Sequence, residues 1–394
     1  MRRNPLRSQQ PADALAERLF GQRSSLVICG QWLLVLLLVN TLLPRGATSS
    51  EEARVWSASA ACKDDKLPPQ GVYELHSLKA DGQHRLDLIA RGGFKVVLNY
   101  AAVAPWADPD VNMQQIKAYA DHAASNGLQV IWSLKDPQWW DGTNLLSVFP
   151  GLASQLGAKS NAEFIMNFVG ALKNHPATWG YYVADESGAT KATQVIAIAD
   201  AIRAADPHHP TLTVHMSNQW RDGTMQAFER AASHIGFDHY PIGQYEGARQ
   251  QYENDKVRMT EVVGWIRGLN TNAAVNPKAL VVALQAHDSC ASYPSTCRWY
   301  PYSRWPTDDE MTDLRDHVLQ IACSNGVHVS LILWYSFFDI MEHNPMAWRA
   351  LISGAFAPAR GVPPRPAPAQ GPAQGPGAGA GGALPRFGGK SPAD

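Results

Sequence analysis

The chain has 394 residues, a formal net charge of −1, 45% hydrophobic residues and 18% charged residues. A chain of this size and balance can bury a large core. Its near-zero charge gives no electrostatic footprint for nucleic acid, which is therefore not an expected partner.

Residues 1–25 form a basic segment carrying Arg2, Arg3, Arg7, Arg18 and Arg23, and residues 26–43 form an apolar stretch interrupted by Gln31 and Asn40. That stretch is just long enough to cross a bilayer's hydrocarbon core and longer than most signal-peptide cores. The nearest small-x-small pattern, Ala58-Ser59-Ala60, lies far beyond it, which favours an uncleaved signal anchor over a cleaved signal peptide. By the positive-inside rule either form places the rest of the chain outside the cytoplasm, membrane-anchored or secreted. The membrane is then a partner through the N-terminal segment if that segment stays uncleaved.

After a linker over 44–69, strand-like runs alternate with helical patterns through a domain spanning 70–356. The runs begin at Gly71 (GVYELHS), Phe94 (FKVVLNY), Leu128 (LQVIWSL), Gly180 (GYYVADE), Thr211 (TLTVHM), His234 (HIGFDHYP), Ala279 (ALVVALQAH) and Val327 (VHVSLILWYSF). Between them, apolar residues recur at three- and four-residue spacing, as in Ile116, Tyr119, Ala120 and Ala123, or Leu314, Val318, Ile321 and Ala322. Two helices stop at Gly127 and Gly326 just before a strand. Eight β/α units in a domain of this size predict an α/β fold of the (β/α)8, or TIM barrel, type. No Gly-rich phosphate-binding segment follows any strand, so nucleotide binding has no support and no cofactor is expected. From 357 to 394 the composition collapses to Pro, Ala, Gly and Gln, which predicts a disordered tail.

Cys29 falls in the apolar stretch, leaving Cys62, Cys290, Cys297 and Cys323, an even number in a compartment where disulfides persist. Cys290 and Cys297 can close a short loop. Cys323 either pairs with Cys62 or is a buried thiol on an apolar helix face.

The C-terminal ends of the eight strands present Glu74 and His76; Asn99 and Tyr100; Lys135 and Asp136; Asp185 and Glu186; His215; Asp238, His239 and Tyr240; Gln285, His287 and Asp288; and Trp334 and Tyr335. That is a polar and aromatic rim at the end of a barrel where chemistry is usually done. Trp106, Trp139, Trp140, Trp299 and Trp305 fall in loops on the same side. Indole rings stack on the apolar face of a pyranose while its hydroxyls find polar partners, so this rim points to a carbohydrate.

The segment NHPATWGYYVADE, from Asn174 to Glu186, resembles the fourth strand of the clan A glycoside hydrolases. The likeness extends over nearly all of Gly71 to Phe356, and the FDHYP of the sixth strand and LILWYSF of the eighth share in it. It implies hydrolysis of O-glycosidic bonds in a poly- or oligosaccharide, with Glu186 as general acid. In that clan the residue before the acid is Asn and the nucleophile is a Glu ending the seventh strand. Here Asp185 replaces the Asn and Gln285 stands where the nucleophile would be. Glycoside hydrolysis takes two carboxyl groups, so the second is sought at Asp238 or Asp288. The substrate-contacting set expected around them is Glu74, Asn99, Tyr100, Asp136, Trp139, Trp140, His215, Tyr240, Gln285, His287, Trp334 and Tyr335, with Trp334 as the floor beneath the sugar. A non-catalytic glycan-binding barrel is the alternative that Gln285 keeps open. A metal-dependent barrel hydrolase would instead use His76, His215, His239 and His287 with Asp185 or Asp238. The first strand supplies one His where such enzymes commonly carry an H-x-H pair, and no metal is expected.

Overall fold

The computed structural model describes residues 67–74, 80–100, 103, 109–135, 145–243, 248–272, 278–294, 297 and 302–358. Within them lie strands β1 (Gln70–Glu74), β2 (Val96–Asn99), β3 (Gln129–Ser133), β4 (Thr178–Asp185), β5 (Thr211–Met216), β6 (His234–His239), β7 (Ala279–Gln285) and β8 (Val329–Tyr335). All neighbouring strands pair in parallel, and β1 pairs with both β2 and β8, so the sheet closes into an eight-stranded barrel in chain order. Every strand expected from sequence is present, with ends shifted by a few residues.

Alternation along each strand separates two cores. Val96, Leu98, Ile131, Leu212, Val214, Val281, Ala283, Leu331 and Leu333 point inward and fill the barrel. Val72, Val97, Val130, Trp132, Ile235, Phe237, Val282 and Trp334 point outward against the helices. The strands therefore read as continuous apolar runs because both of their faces are buried.

The helices carry explicit start and stop signals. Helix Met113–Ser125 begins at a capping box formed by Asn112 and Gln115 and buries Ile116, Tyr119, Ala120 and Ala123, the residues marked by their spacing. Helix Asp308–Ser324 begins at a second box, Thr307 with Glu310, and buries Leu314, Val318 and Ala322, while Ile321 is half-buried. The glycines that follow these two helices, Gly127 and Gly326, take φ of 68° and 66°, the left-handed turn that favours glycine. Arg315, fully buried, donates to the carbonyls of Gly354 (3.0 Å) and Ala355 (2.9 Å), holding the C-terminal end of helix Ala347–Phe356 against the barrel.

Cys290 and Cys297 are joined by a disulfide. Cys323 is also disulfide-bonded, which removes the buried-thiol reading, while its candidate partner Cys62 lies outside the described residues. Among the described residues no helix is long and apolar enough to cross a membrane. Residues 26–43 and the tail beyond 358 lie outside them.

Candidate active site

The site starts from an irregularity in β4. Its register against β5 shifts between Tyr182 and Ala184, so Val183 and Ala184 both pack on the helix side. Tyr182 and Asp185 therefore share the inner side of the barrel mouth, and the Tyr182 hydroxyl donates to Asp185 Oδ1 at 2.6 Å. Simple alternation from Tyr182 would have turned Asp185 outward. The next residue, Glu186, has φ of 48°, the one non-glycine with positive φ among the described residues. Such a backbone costs energy and persists where neighbours hold it. Here the Glu186 amide donates to the Val214 carbonyl (2.8 Å) and its carbonyl accepts from Gln219 Nε2 (3.1 Å). The Glu186 side chain is left exposed at the mouth.

Opposite it, β6 contributes Asp238, buried to 6% exposure. The carboxyl of Asp238 lies within close electrostatic reach of that of Glu186. Two carboxyl groups that close cannot both ionise cheaply, and the cost falls on the buried one. Burial first, then the neighbouring Glu186, then the charge of Asp185, push Asp238 well above the usual carboxylate range. Asp238 is thus a buried carboxyl biased to keep its proton, beside the exposed carboxyl of Glu186.

Asp185 is fixed from three directions. Besides Tyr182, the Tyr100 hydroxyl donates to Oδ2 at 2.9 Å and Lys135 Nζ lies 2.5 Å from the same oxygen. The Lys135 ammonium also sits 4.2 Å from the Tyr100 ring centroid, a cation–π contact. Around these groups runs a belt of rings. Tyr182 meets Tyr100 (6.0 Å between centroids), Tyr100 meets Tyr73 (5.3 Å), Tyr73 meets Tyr335 (5.1 Å), Tyr335 meets Tyr240 (5.5 Å), and Tyr240 meets His287 (5.1 Å). Burial above all, with the charge of Asp185 next, raises the phenols of Tyr73, Tyr100 and Tyr182 well above their ordinary value, so they stay protonated donors. Burial, and then Asp238, does the same at Tyr240.

No family model matches the sequence, and no curated protein matches it. Solved structures that it resembles include glycoside hydrolases. A GH5 protein from Streptomyces cattleya is 16% identical over 68% of this chain and 71% of its own, with a TM-score of 0.43. The β-mannanase of the blue mussel Mytilus edulis is 12% identical over 74% and 93% (TM-score 0.41), and a β-galactosidase from Halorubrum lacusprofundi is 12% identical over 68% and 52% (TM-score 0.47). The chain spans about half the length of the β-galactosidase. Likeness at these values assigns no activity, and the barrel itself is established by the chain's own strand pairing.

The remaining expected site residues divide by where their strands turn them. Glu74 faces the helix layer, 3.6 Å from Arg85, and Asn99 faces it too, buried near Tyr119, so neither reaches the mouth. His215 alternates with the inward Val214 and lies behind the sheet against Phe228, and burial lowers its pKa to about 4. His239 is likewise buried on the helix side, its pKa lowered by burial to about 3, so these histidines do not converge on Asp238. Among the described residues no group of three or more His, Cys, Asp or Glu has the arrangement of a metal site.

Gln285 is inward but wholly committed. Its Oε1 accepts from Ile242 N (2.7 Å), and its Nε2 donates to Ile242 O (3.0 Å) and His287 O (3.1 Å). It clamps the segment after β6 and offers nothing to a sugar. Asp288 is the N-cap of the short helix Ser289–Ser292, with one oxygen accepting from Cys290 N, Ala291 N and Ser303 Oγ, which makes it a loop anchor and not a nucleophile. Trp334 points outward, its indole donating to Gln70 Oε1 at 2.8 Å, so the floor position passes to Tyr335. Trp305 packs half-buried on the outer core. His287 sits under the belt, bonded to the Tyr335 carbonyl and Ser289, and burial lowers its pKa to about 4. His76, Trp106, Asp136, Trp139, Trp140 and Trp299 lie outside the described residues. Sequence reasoning gave no role to Tyr73, Tyr182, Lys135 or Tyr293, whose hydroxyl meets that of Tyr335 at 2.6 Å. The available signal was an inward-facing tyrosine near the end of one strand after another.

Proposed function

We propose that the barrel hydrolyses O-glycosidic bonds of a poly- or oligosaccharide outside the cytoplasm, with Glu186 as the general acid and Asp238 as the partner that keeps it supplied with a proton. The observation that carries this reading is the close pair of carboxyl groups, one buried and one exposed, assembled from the ends of two strands at the barrel mouth. An acid working near neutral pH needs a source of protons, and the buried carboxyl of Asp238, held well above the usual carboxylate range, keeps one beside Glu186. Glu186, being exposed, is the half that can reach a leaving-group oxygen. The tyrosine belt supplies flat apolar faces for pyranose rings, and its hydroxyls pair with sugar hydroxyls. An inverting role for Asp238 fits poorly, because inversion leaves a gap of about 6.5–9.5 Å between carboxyls for water. Anchoring or secretion through residues 26–43 belongs to the same proposal.

The test is hydrolysis of an oligosaccharide and polysaccharide panel by wild type and Glu186→Gln. Sugar release by wild type, lowered by about 10³-fold or more in the variant, supports the reading. Binding of a glycan by both proteins with cleavage by neither would replace it with a lectin-like barrel.

A further inference from the structure

We propose that the substrate carries a 2-acetamido group, and that this group, held by Asp185, attacks the anomeric carbon in place of a protein carboxylate. The inference rests on the glycosidase reading above. A glycosidase that protonates the leaving oxygen with Glu186 needs a nucleophile approaching from the other face of the sugar. Asp238 faces inward at the end of β6 within close electrostatic reach of Glu186, so the two stand together on one side of the scissile bond. Among the described residues, Gln285 is spent on loop backbone, Asp288 caps a short helix through Oδ1, and Glu74 faces the helix layer. Each has a structural task at this end of the barrel.

Asp185 is suited to a different part. It stands next to the acid in sequence, shares the inner side of the mouth, and keeps 23% of its side chain exposed. A carboxylate offers about four lone-pair sites. Tyr100 and Lys135 occupy two on Oδ2 and Tyr182 one on Oδ1, which leaves a single acceptor site on Oδ1 for a substrate donor. A carboxylate anchored by an ammonium and two phenols is a poor nucleophile but a well-placed acceptor. An acetamido N–H bonded there is oriented, and its carbonyl oxygen gains electron density.

The step balances without a further reactant. The acetamido carbonyl oxygen donates an electron pair to C1, forming the C1–O bond of an oxazolinium ring, while the C1–O bond to the leaving group breaks and its pair stays on that oxygen. Glu186 transfers its proton to the leaving oxygen. The positive ring lies beside the negative charge of Asp185. Water then attacks C1, the ring C1–O bond breaks back to the acetamide, and the water's proton returns to Glu186. The anomeric configuration is retained after two displacements. Lys135, Tyr100 and Tyr182 act as positioning residues through Asp185.

The experiment uses the full chain and matched aryl glycosides that differ only at C2, acetamido against hydroxyl, with mono-, di- and trifluoroacetamido members. The expected result is a preference for the acetamido sugar of about 10²-fold or more in kcat/KM, and a rate that falls steadily as fluorine lowers the basicity of the carbonyl oxygen. Asp185→Asn should lower turnover of the acetamido substrate by about 10²-fold with its melting temperature retained. Equal cleavage of the hydroxyl sugar, with no fluorine dependence in wild type, overturns the inference and leaves the glycosidase reading standing. Cleavage of none of the glycosides overturns both.

Discussion

Two sides of the barrel mouth begin with similar residues and end with opposite roles. Strands β4 and β6 deliver Asp185, Glu186 and Asp238, whose carboxyls face one another. Strands β7 and β8 and the turn after β7 deliver Gln285, Asp288 and Trp334: Gln285 is consumed by backbone, Trp334 by Gln70, and Asp288 caps a short helix through Oδ1. The difference lies in unused hydrogen-bonding capacity. A polar group with every site filled by the fold holds a loop in place, whereas a carboxyl whose remaining partner is another carboxyl holds a mobile proton.

The comparison breaks most visibly at Gln285. Gln285→Glu restores the residue type that clan A carries there, yet it sets a buried carboxylate against the carbonyls of Ile242 and His287. Loss of about 3 kcal/mol or more in stability, with no gain in hydrolysis, is expected from chemical denaturation and activity assays. A gain in hydrolysis would show that this wall is catalytic after all.

The buried imidazoles sharpen the same contrast through pH. Burial lowers His287, His215 and His234 to about 4 and His239 to about 3. Each is neutral in the fold but gains a proton on unfolding below about 6.5, so stability falls as pH drops from there toward 4, by about 1.4 kcal/mol per pH unit for each such group. Thermal melts between pH 7.5 and 4 should show that decline, and a flat profile would contradict the burial of these rings. The smallest effect is at the loop anchor. Asp288→Ala removes an N-cap and should cost about 1–2 kcal/mol with turnover nearly unchanged, while Asp288→Asn, which keeps the acceptor, should be close to wild type in both.

Much of the barrel was legible because its signals are local. Apolar runs such as VVLN and ALVVALQ mark strands buried on both faces, and Asn112, Thr307, Gly127 and Gly326 mark helix ends in one or two residues. The acid pair was legible in part, since Glu186 ends the most distinctive strand and Asp238 stands in a cluster of polar residues ending another. Side-chain direction was not legible. It depends on the register shift between Tyr182 and Ala184, which turns Asp185 inward, and on the inward parity that gives the floor to Tyr335 and sends Trp334 to the helices. Whether a polar residue is already spent depends on contacts such as Gln285 with Ile242, 43 positions apart in sequence. No local pattern encodes that.

The central claim is that Asp238 keeps a proton at the barrel mouth, held by burial and by the neighbouring Glu186. Isotope-edited infrared spectroscopy of the aspartate carboxyls across pH 4 to 9 tests it directly. A protonated carboxyl band that persists at neutral pH, vanishes in Asp238→Asn and titrates at lower pH in Glu186→Gln is the result predicted. A wild-type spectrum in which every aspartate is ionised by pH 6 would contradict the account.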